Sequence, residues 1–278
     1  MLSGMSITDR AIGEIERSGF TFLDAPIELQ ALMEEAFEIG DRFFESDLIS
    51  KLADRLPLDT GYRPYGGEYS QSSSHPDQVE SFTASYRVPT PEARLSTHGS
   101  ELHSKLLSIF DRFECAAEEI TSRLASKFVG AQKDLAGAFR NWSLLQYNYS
   151  RPSLATAEFI NESHEDGCLL TIMSIAGAGL ELQSGTEFTP IPASKRQVLA
   201  MAGEILWLLT GGTINPVYHR VRTMPSHTRR NSLLFFADMN PAICDPWLLS
   251  SINRDVDIGQ KVLQNSTRYG LSQWLREE

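Results

Sequence analysis

From Trp142 onward the chain breaks into short runs of strand-forming residues, and this rhythm limits its possible folds more than any other feature. The runs are Trp142–Tyr149, Leu169–Ile175, Leu180–Gln183, Gln197–Met201, Ile205–Leu209, His219–Thr223 and Ser232–Ala237. Gly177, Gly179, Gly185, Gly203, Gly211-Gly212 and Pro225 divide them. Aromatic and β-branched residues suit a pleated surface, while glycine and proline turns end each run quickly. A parallel sheet needs a crossover of a dozen or more residues between strands, and most of these gaps are shorter. Many short strands at this spacing indicate a barrel or a two-sheet jelly roll.

The first half has a different period. Leu29, Leu32, Met33, Ala36, Phe37 and Phe44 recur at helical spacing, with Pro26 near the start of that helix. Leu102, Leu106, Ile109, Phe110, Phe113, Ala117, Ile120 and Leu124 form a second apolar stripe, so a long helix covers about residues 98 to 128. Between the two, Thr60 to Pro76 is rich in Gly, Ser, Tyr and Pro and reads as a loop. A last helix runs from about Gly259 to Trp274. No repeat and no sharp change of composition divides the chain. The expectation is one α+β domain over residues 1–278. Residues 1–140 are mainly helical, 141–240 form a jelly-roll core, and 241–278 are a C-terminal helical segment.

The formal net charge of −11 argues against nucleic acid or an anionic membrane as the main partner. Cys115, Cys168 and Cys244 are odd in number and lack the spacing of a disulfide framework or a zinc site. The longest purely apolar stretch near the middle, Ile205 to Leu209, is too short to span a bilayer, and the N-terminus lacks a signal-like apolar segment. A cytoplasmic protein acting on a small molecule is expected, and the sequence leaves its oligomeric state open.

One constellation carries chemistry. His164-Glu165-Asp166 is followed 53 positions after Asp166 by His219. On a strand, residues i and i+2 project to the same side, so His164 and Asp166 can face one point while Glu165 turns away. Two imidazoles and a carboxylate are the protein ligands of a facial iron(II) triad, which keeps three metal positions free. Taken singly, His219 also fits a hydrogen-bonded structural histidine, and Asp166 a turn. His75, His98, His103 and His227 lack such a setting and read as loop or helix-surface residues. Arg220, Arg222, Arg229 and Arg230 form a local basic run, and Arg230 with Ser232 makes an Arg-x-Ser pair on one face of a strand. A guanidinium there suits a carboxylate, which it holds through two parallel, charge-assisted bonds. Arg230 lies 11 residues after His219, enough for a tight turn into a neighbouring antiparallel strand.

Taken in order, these residues resemble the iron(II)/2-oxoglutarate dioxygenase superfamily. Leu169-Leu170-Thr171-Ile172, Gly179-Leu180-Glu181-Leu182, Val198 to Gly203, His219-Arg220-Val221 and Arg230-Asn231-Ser232 with Phe235-Phe236 extend the likeness. Ser18-Gly19-Phe20-Thr21-Phe22, Gly61-Tyr62, Val79-Glu80-Ser81-Phe82 and Leu145-Gln146-Tyr147-Asn148-Tyr149 narrow it to the isopenicillin N synthase-like branch. The resemblance implies a double-stranded β-helix with His164, Asp166 and His219 as iron(II) ligands. It implies 2-oxoglutarate as co-substrate, its distal carboxylate on Arg230 and Ser232 and a further hydrogen bond from Tyr149. The implied reaction consumes dioxygen, decarboxylates 2-oxoglutarate to succinate and carbon dioxide, and oxidises an unactivated C–H bond, most simply by hydroxylation. The presence of Asp166 speaks against the halogenating variants, which vacate that position.

The resemblance also carries an alternative, because isopenicillin N synthase itself oxidises its substrate without 2-oxoglutarate. Asp59 stands where penicillin-forming members place an arginine, and Gln146 where several relatives carry another. Both changes remove a cation, so a different substrate is expected, such as an amino acid derivative or a secondary metabolite. Tyr62, Tyr65, Trp207 and Phe236 are the expected walls of its pocket.

Overall fold

The strand-forming runs pair into two antiparallel sheets. The computed structural model describes residues 5–57, 59–71, 74–87, 95–129, 135, 137–151, 157–224, 229–240 and 256–268. Helices α1 (Asp9–Ser18), α2 (Ile27–Phe44), α3 (Leu48–Ala53) and α4 (Thr97–Val129) occupy the N-terminal part together with strands β1 (Phe20–Asp24), β2 (Gly61–Arg63) and β3 (Glu80–Ala84). Strands β4 (Leu144–Ser150), β5 (Phe159–His164), β6 (Leu170–Ile175), β7 (Leu180–Ser184), β8 (Glu187–Pro190) and β9 (Ser194–Ala202) follow. The short helix α5 (Glu204–Leu209), strands β10 (His219–Arg222) and β11 (Arg230–Ala237) and helix α6 (Ile258–Arg268) complete the order.

The large sheet has seven strands in the order β1-β9-β6-β11-β4-β3-β2, and the small sheet has four, β5-β10-β7-β8. Two apolar layers hold them. Val79, Ile160, Met173, Leu182, Leu199 and Val221 are among the side chains buried between the sheets. The other face of the large sheet packs on the helices through Leu145, Tyr147, Leu233 and Phe235, which meet Phe44, Phe110 and Phe113. Both faces of the central strands are therefore covered, which is why β4 and β6 are buried along their whole length. All eight apolar positions expected along α4 are buried, as are Leu29, Met33, Ala36 and Phe44 of α2. Gly40 is required on α2 because the Tyr147 ring lies where a Cβ would stand.

The first half is less purely helical than its periodicity suggested. Strand β1 pairs with β9 from Phe20↔Met201 to Asp24↔Gln197, and β3 pairs with β4. Within the expected Thr60–Pro76 loop, Gly61–Arg63 form β2 against β3. The expected strand Ile205–Leu209 is helix α5: Gly203 caps its start, and a short leucine-rich run buried on most sides has no period to tell helix from strand. His103 is not a surface residue, since α4 buries it with its ring 6.4 Å from that of Phe82. Pro225, His227, Cys244 and the expected helix beyond residue 268 lie outside the described residues. Among the described residues, no helix is long and apolar enough to cross a membrane.

Candidate metal centre

Strand pairing brings the three expected ligands together. His164 is the last residue of β5, His219 is the first of β10, and the two are register partners. Asp166 lies two residues beyond the strand end and returns to the same side. One ligand atom from each of the three falls within 4.8 Å of the others. His164 Nε2 is 3.7 Å and His219 Nε2 is 4.0 Å from Asp166 Oδ1, and the imidazole centroids are 4.4 Å apart.

The surrounding bonds leave these particular atoms available. His164 Nδ1 donates to the Glu162 carbonyl at 2.7 Å and His219 Nδ1 to the Val217 carbonyl at 3.3 Å, which fixes each tautomer with the Nε2 lone pair facing the partners. The Thr171 hydroxyl donates to Asp166 Oδ2, so Oδ1 is the oxygen turned toward the histidines. Burial pulls His219 down to about 4, with Asp166 opposing and His164 reinforcing that shift, so its ring is neutral at physiological pH. Two neutral imidazoles and a carboxylate, each held by a second group, fit a divalent first-row ion. The backbone shares in this. Glu204 N donates to the Asp166 carbonyl at 2.9 Å, and Gly203 approaches the Cys168 and Asp166 carbonyls so closely that a Cβ has no room.

The triad opens into a cavity of about 120 Å³, against the 10–15 Å³ or so that one water needs in the same measure. A small organic molecule fits beside an ion. Arg230 and Ser232 line the same cavity. Arg230 is 4% exposed, and burial lowers its pKa to about 10. Its Nη1 donates to Ser232 Oγ at 3.0 Å and its Nε to the Ala178 carbonyl at 3.0 Å, yet no carboxylate among the described residues pairs with it. Gly177 leaves room for the Arg230 stem, where a Cβ would collide. A buried cation without a counter-charge is costly, so this guanidinium is built to receive an anion from the cavity.

Arg230 reaches the cavity by another route than a neighbouring strand. Strand β10 belongs to the small sheet and β11 to the large one, so the chain crosses between sheets after His219 and approaches the site from the opposite wall. Strand alternation also corrects part of the expected lining. On β4, Leu144, Gln146 and Asn148 face the cavity, whereas Tyr149 turns to the helices and stacks on Phe44 with centroids 4.9 Å apart. Tyr149 therefore does not line the cavity that holds the triad and Arg230. Tyr62 is buried on the same helix side, where its hydroxyl donates to Glu80 at 2.6 Å. Tyr65 is exposed on a turn, and Trp207, a residue of α5, packs against the helix-side core, both off the cavity wall. Of the four expected substrate walls, Phe236 alone lines the cavity. Residues not expected from sequence take their place: Glu68, Asp77, Asn148, Asn161, Asp238 and Asn265. Carrying the alternation of β4 and β11 through to Asn148 and Asp238 would have found two of them.

The family model described as the 2OG-Fe(II) oxygenase superfamily matches residues 141–238, the stretch that contains all five motif residues. Residues 141–238 are a 2OG-Fe(II) oxygenase domain. The protein is thus an Fe(II)/2-oxoglutarate dioxygenase with iron(II), 2-oxoglutarate and dioxygen as its reaction partners. No sequence among curated proteins matches the chain. Its fold is similar to that of a full-length Neurospora crassa protein solved with alpha-KG, at 16% identity and a TM-score of 0.74 over 93% of this chain and 89% of that one. A putative oxygenase from Shewanella oneidensis aligns at 17% identity and a TM-score of 0.69, covering 92% and 94% of the two chains. The rice dioxygenase for auxin oxidation aligns at 20% identity and a TM-score of 0.62, covering 82% and 76%. The Neurospora crassa protein has also been solved with alpha-KG and thymine, at a TM-score of 0.68 to this chain.

Proposed function

We propose that this oxygenase hydroxylates an unactivated C–H bond of a small metabolite, as a member of the isopenicillin N synthase-like branch, and does so with 2-oxoglutarate. His164, Asp166 and His219 hold the iron. When bound, iron and 2-oxoglutarate supply the oxidising power, with succinate and carbon dioxide released. The chain's own side chains supply position. Arg230 receives the distal carboxylate of 2-oxoglutarate through its free guanidinium edge, and Ser232 adds a hydroxyl from the same strand face. Thr171 keeps one Asp166 oxygen engaged so that the other points at the ion. Met173, Val221, Leu234 and Phe236 supply apolar lining that limits water near the reacting carbon.

The observation that carries this reading is Arg230: a buried cation with no counter-charge among the described residues, in the same cavity as a complete two-histidine, one-carboxylate triad. The complex of the Neurospora crassa protein with thymine supports a small-molecule substrate. The test is calorimetry of 2-oxoglutarate on protein loaded with manganese(II) as a redox-silent substitute. Loss of a charge-assisted pair is worth about 1.5–3 kcal/mol, so Arg230→Ala should weaken 2-oxoglutarate ten- to about a hundredfold and leave metal affinity in place. Unchanged 2-oxoglutarate affinity in that variant would remove Arg230 from the site.

A further inference from the structure

Helix α6 lies beyond the stretch that the family model matches, yet it supplies part of the cavity wall. Val262 and Asn265 stand three residues apart, hence on one side of the helix, and both are buried in the lining. This wall meets β11 at the end opposite Arg230. Asn265 is tied to the Gly167 carbonyl, and Leu169 N, two residues on, donates to Asp238 Oδ1 at 3.1 Å just past the end of β11. Burial raises the Asp238 carboxyl to about 8, so it keeps its proton near neutral pH and adds no charge to that wall.

The amide of Asn265 has one orientation. Its Nδ2 lies 2.8 Å from the Gly167 carbonyl and 3.0 Å from Glu204 Oε2. A carbonyl only accepts, and Glu204, whose other oxygen pairs with Lys261 at 2.9 Å, accepts as well. The end between them must therefore be the nitrogen, and both of its N–H groups are spent. Asn265 Oδ1 is left without a partner among the described residues. The other amide oxygens nearby differ: Gln146 Oε1 takes the Thr83 hydroxyl at 3.3 Å, and Asn148 Oδ1 takes Gln146 Nε2 at 2.7 Å.

The same bonds hold this amide against the metal-binding turn. Gly167 directly follows Asp166, and Glu204 N donates to the Asp166 carbonyl at 2.9 Å. An acceptor kept dry without a donor costs about 1–3 kcal/mol, which a donor on the cavity's occupant removes.

We propose that Asn265 is a substrate contact whose Oδ1 receives an N–H or O–H group, and that α6, through Asn265 and Val262, selects the substrate. This rests on the reading that 2-oxoglutarate takes the Arg230 end and leaves the α6 wall to the substrate. The class favoured is a compact compound with a hydroxyl or amide N–H on an apolar body, the body lying against Val262.

The experiment uses the full chain loaded with manganese(II) and saturated with 2-oxoglutarate, whose own binding is measured first in the same cell. The probes are matched pairs that differ in one donor: pyrrolidinone against N-methylpyrrolidinone, and cyclohexanol against cyclohexyl methyl ether. The donor-bearing member should bind about five- to tenfold more tightly to the wild type. Asn265→Ala should bring it down to the affinity of its methylated counterpart, which itself stays unchanged; a merely loosened helix would weaken both alike. Val262→Phe leaves the bond to Gly167 in place and narrows the wall, so it should weaken both members at least about tenfold while 2-oxoglutarate binds as before. Equal affinity within the pairs, a margin that survives Asn265→Ala, no effect of Val262→Phe, or no binding by either donor-bearing probe would overturn the assignment. Failure of 2-oxoglutarate itself to bind would count against the Arg230 reading instead.

Discussion

At the scale of single residues, the site depends on atoms that are held ready by their neighbours. Thr171 is the clearest case, since its hydroxyl engages Asp166 Oδ2 and leaves Oδ1 for the ion. Removing such a supporting bond typically costs 10- to about 100-fold in metal affinity, so Thr171→Val should weaken manganese(II) binding by that order in calorimetry, with an unchanged circular dichroism spectrum. Equal affinity in variant and wild type would show that Asp166 is oriented without it. Tyr149 gives the opposite expectation. It stacks on Phe44 behind the sheet, so Tyr149→Phe should leave 2-oxoglutarate affinity within about twofold of wild type, because the hydroxyl it loses does not face the cavity. A tenfold loss would restore its expected role.

Asp238 has a pH signature of its own. Burial raises its carboxyl to about 8 against an ordinary value near 4, so the folded chain keeps a proton that the unfolded chain releases. By linkage, stability then falls as pH rises between those two values. Asparagine carries no such proton. The melting temperature of Asp238→Asn minus that of wild type should therefore grow from pH 5 to pH 9, and two parallel curves would contradict the burial effect.

At the scale of elements, what could be read from the sequence was what has a period. The α4 stripe and the apolar positions of α2 follow directly from spacing near 3.6 residues, and most strands after residue 142 follow from turns and β-branched runs. Elements without a period were not legible. Helix α5 is apolar on most sides because it is buried, and β2 lies in sequence that looks like a loop until it pairs with β3, which in turn pairs with β4. The junction between β9 and α5 has a mechanical demand that sequence alone does not reveal. Gly203 sits against the Cys168 and Asp166 carbonyls, so Gly203→Ala must push the metal-binding turn aside. That variant should lose metal affinity by at least about tenfold while its strands stay folded, as read by calorimetry and far-ultraviolet circular dichroism. On β11 the inward and outward faces separate two kinds of effect. Phe235 points to Phe110 and Phe113, so Phe235→Ala should cost about 3–5 kcal/mol of stability in denaturant unfolding. A loss below about 1 kcal/mol would mean that this face collapses around the vacancy.

At the scale of the whole molecule, two sheets are needed because the site needs two walls. The small sheet delivers His164, Asp166 and His219 from one side. The large sheet delivers Arg230, Ser232 and Phe236 from the other, and the helices pack on the face behind it. The ligand set was legible because a facial triad leaves an identity-and-spacing trace in the sequence. The substrate walls were not, since aromatic residues near a motif belong to either face of a strand until the register is known: Tyr62 and Tyr149 went to the core, while Asn148 and Asp238 went to the cavity.

The central claim is that three donors converge on one ion and leave room for a ketoacid to chelate it. Anaerobic addition of iron(II) and 2-oxoglutarate to the metal-free protein tests this directly, through the visible charge-transfer absorption that chelation by a ketoacid produces. The expected result is a band that saturates at one iron per chain and is absent in Asp166→Ala and His219→Ala. No band in the wild type, or a band that persists at full strength in both variants, would contradict it.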